Sequence, residues 1–157
     1  MSGEPKSAGG RGKRAEALQP LSRDHLKALL AAKALRDAEE VEAAQLAFLD
    51  FWREHGAHHF RVEEEVLLPQ WFLYAEVDRP GVERMLEEHL TIRREALRLA
   101  AGPVELEELR ALGDLLHDHV RFEERQLFPA IEASLTPQQL ALIVPAVLEA
   151  EADAGLD

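Results

Sequence analysis

Residues 59–69 read HFRVEEEVLLP and residues 119–129 read HVRFEERQLFP, nearly the same text sixty positions apart. Each copy opens on a histidine with a glutamate four residues later, a spacing that puts an imidazole and a carboxylate on one face of an α-helix. A further histidine precedes each copy: His25 stands 34 residues before His59, and His89 stands 30 before His119. The residues placed to do chemistry are thus His25, His59, Glu63, His89, His119 and Glu123. Imidazole mixed with carboxylate suits a borderline divalent metal such as iron, manganese or zinc better than the hard ions that want only oxygen. Six side chains also exceed the four of a structural zinc site. Two metals bridged by Glu63 and Glu123 fit better, each taking two imidazoles and one oxygen from each carboxylate. With a bridging hydroxo or oxo group, one position stays open on each. Iron prefers six ligands and has useful chemistry at an open position, while zinc and manganese accept the same donors.

A single His-x3-Glu carries little weight in a chain so rich in glutamate. The bland alternative makes these residues surface groups left over from a duplication. Their place on apolar stripes argues against it. Leu109, Leu112, Leu116, His119, Glu123 and Leu127 share one helical face, as do Leu49, Trp52, His59, Glu63 and Val66. His25 falls in line with Leu21 and Leu29, and His89 with Met85 and Ala96. A carboxylate buried on such a face needs a partner. His55, one turn before His59, and Arg93, one turn after His89, are candidate supporting residues behind the ligands, though a half-exposed histidine and a plain salt bridge explain them as well. His58 and His117 fall off the stripes and read as surface. Gly56 leaves room either for a small ligand or for close helix packing.

The elements that must position these groups are helices. Periodicity begins near Leu21 with Ser22 as a cap and runs to about Arg36; a second helix covers about 39–68 and stops at Pro69. The third runs from Asp78 and Pro80 to Gly102-Pro103, and the fourth spans about 105–133. Thr136-Pro-Gln-Gln139 opens a short fifth helix, which Pro145 should kink or interrupt. Short connections between long helices imply an all-α, antiparallel up-down-up-down four-helix bundle, and the repeated text implies an approximate two-fold relation between its halves. The expected division is a flexible N-terminal tail over 1–19, the bundle over 20–134, and a C-terminal helix and tail over 135–157.

Composition bounds the function. The chain of 157 residues suffices for one domain. A net charge of −12 argues against nucleic acid or an anionic membrane as partner. Cysteine is absent, which excludes disulfides, thiolate ligands and thiol nucleophiles. The first twenty residues lack the apolar core of a secretory signal, and no apolar run has the length of a membrane span, so a cytoplasmic location is expected. No signal for a particular protein partner or for a homo-oligomer stands in the sequence.

The segments HHFRVEEEVLLP and HDHVRFEERQLFP, with RDHL and EEHL upstream, resemble the signatures of the hemerythrin-like, or HHE cation-binding, family over about residues 20–133. That resemblance implies a non-haem di-iron centre with Glu63 and Glu123 as bridges and His25, His59, His89 and His119 as terminal ligands. The oxygen-carrying hemerythrins have a second histidine on the third helix where this chain has Arg93, and an aspartate five residues after the fourth-helix histidine where this chain has glutamate at four. The resemblance therefore implies a more open iron that binds or senses O2 or a related ligand such as nitric oxide or peroxide. No catalytic residue is singled out; weak peroxidase or oxidase chemistry is the form an activity would take. An iron-responsive regulatory module, and a zinc-bound or metal-free helical scaffold, are the alternatives. The ferritin-like di-iron proteins use Glu-x2-His and carboxylates on four helices; this chain places its carboxylates on two.

Overall fold

The computed structural model describes residues 13–153. Residues 1–12 of the expected tail and the last four of the C-terminal segment lie outside the described part. Among the described residues all regular structure is helical. A 3₁₀ turn, Glu16–Leu18, leads into α1, Gln19–Arg36; α2 occupies 41–74, α3 is Arg79–Ala101, α4 is Leu106–Ser134 and α5 is Pro137–Ala152.

The helix ends differ from expectation in ways that have local causes. The start of α1 lies before Ser22, with Pro20 in its first turn, and the Ser22 hydroxyl donates instead to Glu124 at 2.6 Å. Residues 14–19 fall within the expected tail, yet all but Glu16 are partly or fully buried. Ala17 and Leu18 are buried, and the Arg14 guanidinium reaches Glu124 at 2.9 Å and Glu132 at 2.8 Å. Two apolar residues are too few to show a period, so the anchor was invisible to pattern. The α2 helix does not stop at Leu68. It passes through two π turns, Trp52–Gly56 and Glu63–Leu67, and continues to Tyr74; α4 has one π turn, Glu123–Leu127. A proline inside a regular helix lacks an N–H and meets the carbonyl four residues back. Here each wide turn ends just upstream, so Pro69 and Pro129 occupy the first turn of a new α-segment, where no N–H is required. Pro145 likewise fails to interrupt α5, whose buried Ile143 and Val147 hold the helix down on either side. The capping box at its start is formed as expected, with the Gln139 amide donating to Thr136 Oγ1 at 3.1 Å and the Thr136 amide to Gln139 Oε1 at 3.0 Å.

The apolar residues form two separate clusters. Leu21, Leu67, Met85, Leu127, Ile131 and Ile143 belong to one; Ala32, Phe48, Ile92, Leu99, Leu112 and Leu116 belong to the other. On α1 and α3 the chain passes from the first cluster to the second, and on α2 and α4 from the second back to the first. The six buried polar residues fall at the crossing on every helix. The α1 helix packs closely on α4: a Cβ on Gly113 would lie 2.8 Å from the Ala32 carbonyl oxygen and 2.9 Å from the Leu35 Cβ. The α5 helix turns back by 120° from α4 and packs on the 3₁₀ turn at the start. No single described helix is long and apolar enough to cross a membrane.

Candidate metal centre

All six residues singled out from spacing are buried together: His25, His59, Glu63, His89, His119 and Glu123 are each at most 6% exposed. They form two overlapping groups, His25–His59–Glu63–Glu123 and His89–His119–Glu63–Glu123, whose ligand atoms lie within 4.8 Å of one another. Each glutamate divides its oxygens between the groups. Glu123 Oε1 is 2.8 Å from His25 Nε2, while its Oε2 is 3.0 Å from His119 Nε2 and 3.3 Å from His89 Nε2. Glu63 Oε2 is 3.0 Å from His59 Nε2, and its Oε1 is 3.1 Å from His89 Nε2.

These contacts are close without being satisfied. Both Glu63 oxygens, His59 Nε2 and His119 Nε2 lack an aligned hydrogen-bond partner although they are fully shielded. A native interior rarely leaves such atoms orphaned, since each costs the full desolvation penalty. Four imidazole nitrogens and four carboxylate oxygens turned toward one another are what a pair of cations would satisfy, so the donor set fits a metal centre.

Behind every imidazole stands a second carboxylate. His25 Nδ1 donates to Glu124 at 2.6 Å, His59 Nδ1 to Asp24 at 3.0 Å, His89 Nδ1 to Glu64 at 2.5 Å and His119 Nδ1 to Glu88 at 2.8 Å. This leaves Nε2 as the inward atom in all four and orients each ring. Asp24 and Glu88 precede the lone histidines of α1 and α3, and Glu64 and Glu124 follow the inner glutamates of α2 and α4. The sequence reading missed all four. The signal was an acidic neighbour repeated in both halves, in RDH and EEH and in the two EE pairs, but adjacent residues on a helix point in different directions, so its meaning appears only across helices. Of the two supporting candidates, Arg93 acts at one remove, its Nη1 donating to Glu64 Oε2 at 2.7 Å. His55 belongs to neither ligand group; its ring lies 6.5 Å from that of Phe51. His58 is half-buried rather than free at the surface, and its Nε2 donates to the Ala150 carbonyl at 2.7 Å.

With protons in place of metal, the centre is a network of ion pairs. Burial opposes the charged form of His25, but hydrogen bonds to Glu123, Glu124 and Glu63 outweigh it and carry its pKa up to about 10. At His89 the same contest, against Glu123, Glu63 and Glu64, also ends at about 10. His59 and His119 are raised too, and Glu123 is held well below the usual carboxylate range despite burial, chiefly by the His119 charge. Burial pushes Glu124 up, but His25, Ser22 and Arg14 hold it at about 2.

The two histidine pairs have different surroundings. Phe60 lies flat on His89, ring centres 3.6 Å apart. A small cavity of about 10 Å³ borders His25, His59 and also His119, and is walled by Phe51, Trp52, His55, Gly56, Leu116 and Val120. That is room for about one water-sized molecule. A Cβ on Gly56 would come within 2.7 Å of the Trp52 ring, so the glycine sets the position of this wall.

The chain matches the hemerythrin HHE cation-binding domain family over residues 17–131 and belongs to it. It is similar, at 30% identity over 121 residues, to a DNA nickase of Nostoc sp. (strain PCC 7120 / SAG 25.82 / UTEX 2576). The alignment covers 74% of this chain and 33% of that protein, so the chain spans about a third of the relative's length. No solved structure is a significant match. The cation-binding family and the buried His/Glu groups agree: this is a domain with a centre that could hold metal.

Proposed function

We propose that the chain is a non-haem di-iron protein of the hemerythrin-like kind that binds or senses O2 or a related small ligand. The observation that carries this reading is the division of Glu63 and Glu123, each turning one oxygen toward His25 and His59 and the other toward His89 and His119. His25 and His59 would hold one iron, His89 and His119 the other, with the two glutamates bridging. Bound iron would supply open coordination and redox electrons to the ligand. The protein's own part is to fix the rings through Asp24, Glu64, Glu88 and Glu124, and to keep water out with two apolar layers. The cavity bordered by His25, His59 and His119 supports entry of a diatomic-sized ligand beside the centre. The alternating passage of α1–α4 between the two clusters supports an antiparallel up-down-up-down bundle with a pseudo-two-fold axis through the centre, and 20–134 as its extent. The name of the longer relative describes a protein of about three times the span; with a net charge of −12, nothing in this chain favours a DNA substrate.

The test is metal analysis of protein expressed with added iron, with absorption spectra before and after air. About two irons per chain and an air-dependent near-ultraviolet band are expected, and His89→Ala should lose at least about half of the iron. Zinc or no metal with a flat spectrum, or full iron in the variant, would overturn the assignment.

A further inference from the structure

Two helices turn the same pattern outward with opposite charge. On α1 residues 23–30 read RDHLKALL, and on α3 residues 83–90 read ERMLEEHL. In each, the first, fourth, fifth and eighth positions share one helical face. On α1 these are Arg23, Leu26, Lys27 and Leu30; on α3 they are Glu83, Leu86, Glu87 and Leu90. All of them are exposed, the leucines between 42% and 70%. Among the described residues none of the four charged side chains forms an ion pair. A lone exposed leucine needs no cause, but two rows of one spacing and opposite charge form a pattern that the fold itself does not use. The α1 row also borders an open groove against α4. There Leu29 continues the apolar floor and Arg121 adds a further unpaired cation.

We propose that the α1–α4 groove of one copy of this chain receives α3 of a second copy, as a helix ridge seats in a groove. Aligned in parallel, the rows bring Arg23 to Glu83, Leu26 to Leu86, Lys27 to Glu87 and Leu30 to Leu90. Charge selects the occupant. Two α1 rows would set cation on cation and two α3 rows anion on anion, whereas the unlike pair is complementary at every position. The net charge of −12 opposes approach of two copies, but at physiological salt charges more than about 8 Å apart are screened and the facing pairs decide. The two faces differ, so the contact is head-to-tail, and each copy keeps a face for the next. One helix in one groove is a small interface, so the association is reversible. None of these residues belongs to the buried centre, and the inference stands apart from the metal reading.

The experiment is gel filtration with multi-angle light scattering on the full chain, over a series of loading concentrations at physiological salt. The expected mass exceeds the 17.6 kDa of one chain and rises with concentration past that of two. Lys27→Glu and Glu87→Lys should each fall back to the mass of one chain. An equimolar mixture of the two variants should associate again, because each supplies the face that the other has lost. A mass of one chain at every concentration overturns the proposal, as does a mass that stops at two copies. Single variants that associate like the unaltered chain, or a mixture that stays at one chain, overturn it too. Far-ultraviolet circular dichroism checks folding; should either charge variant fail to fold, Leu30→Glu on the same exposed row must abolish the association, and its persistence overturns the proposal.

Discussion

Each inner imidazole in this protein is held by a sequence neighbour of another residue of the centre. Glu124 adjoins Glu123 in sequence but orients His25 on α1, and Glu88 adjoins His89 but orients His119 on α4. Removing one such carboxylate leaves the inner donors in place and frees one ring to turn. Glu124→Gln should therefore weaken metal binding by about 10–100-fold without abolishing it, as measured by competition with a coloured chelator. An unchanged affinity would mean that Phe128, stacked on His25 with ring centres 5.3 Å apart, suffices to orient the ring. The inner six residues were legible because their types are rare on apolar stripes. The outer four were not, since acidic residues beside a helix's buried face are ordinary and only the fold says which ring each one meets.

Among the helices, the contact of α1 with α4 sets the width of the centre. His25 reaches Glu123 at one end of this contact, and Gly113 meets Ala32 and Leu35 at the other. Gly113→Ala would force a methyl group to within 2.8 Å of a backbone carbonyl that has no rotamer to escape through. Overpacking of this kind costs about 1–3 kcal/mol, more than the roughly 1 kcal/mol that alanine adds to helix propensity. A net loss of stability in urea unfolding is expected, with weaker metal retention as the helices part; a gain would show that α1 can shift freely. The π turns are the other device at this scale. Two of the three begin at an inner glutamate, Glu63 or Glu123, and each is followed by its proline. Proline is a stop signal in sequence, and it marked a boundary here too, but between two segments of one helical run.

For the whole molecule, the polar layer between two apolar clusters ties stability to metal and pH. In the metal-free protein His25 and His89 have pKa values raised from 6.5 to about 10. The folded state then binds protons that the unfolded chain releases, so their contribution is full below pH 6.5 and is lost as pH rises through about 10. Metal competes with those same protons, so its affinity should rise over the same range. Thermal unfolding should thus show the metal-free protein weakening from neutral to alkaline pH and the loaded protein melting higher, with the gap widening. Ligand at about a thousand times its dissociation constant adds roughly 4 kcal/mol. Coincident curves with and without metal would show the centre empty in the native state.

By itself the sequence determined the helices, the duplication and the six inner donors, because helical period, proline and glycine signals and misplaced polar residues are local properties of the chain. Only the tertiary structure decided how the glutamates share their oxygens, which carboxylate holds which ring, where the cavity opens and that Glu151 comes to rest beside Asp24 and His59. Those relations join residues on different helices, up to 127 positions apart between Asp24 and Glu151, and the packing of side chains that fixes them has no signature along the chain.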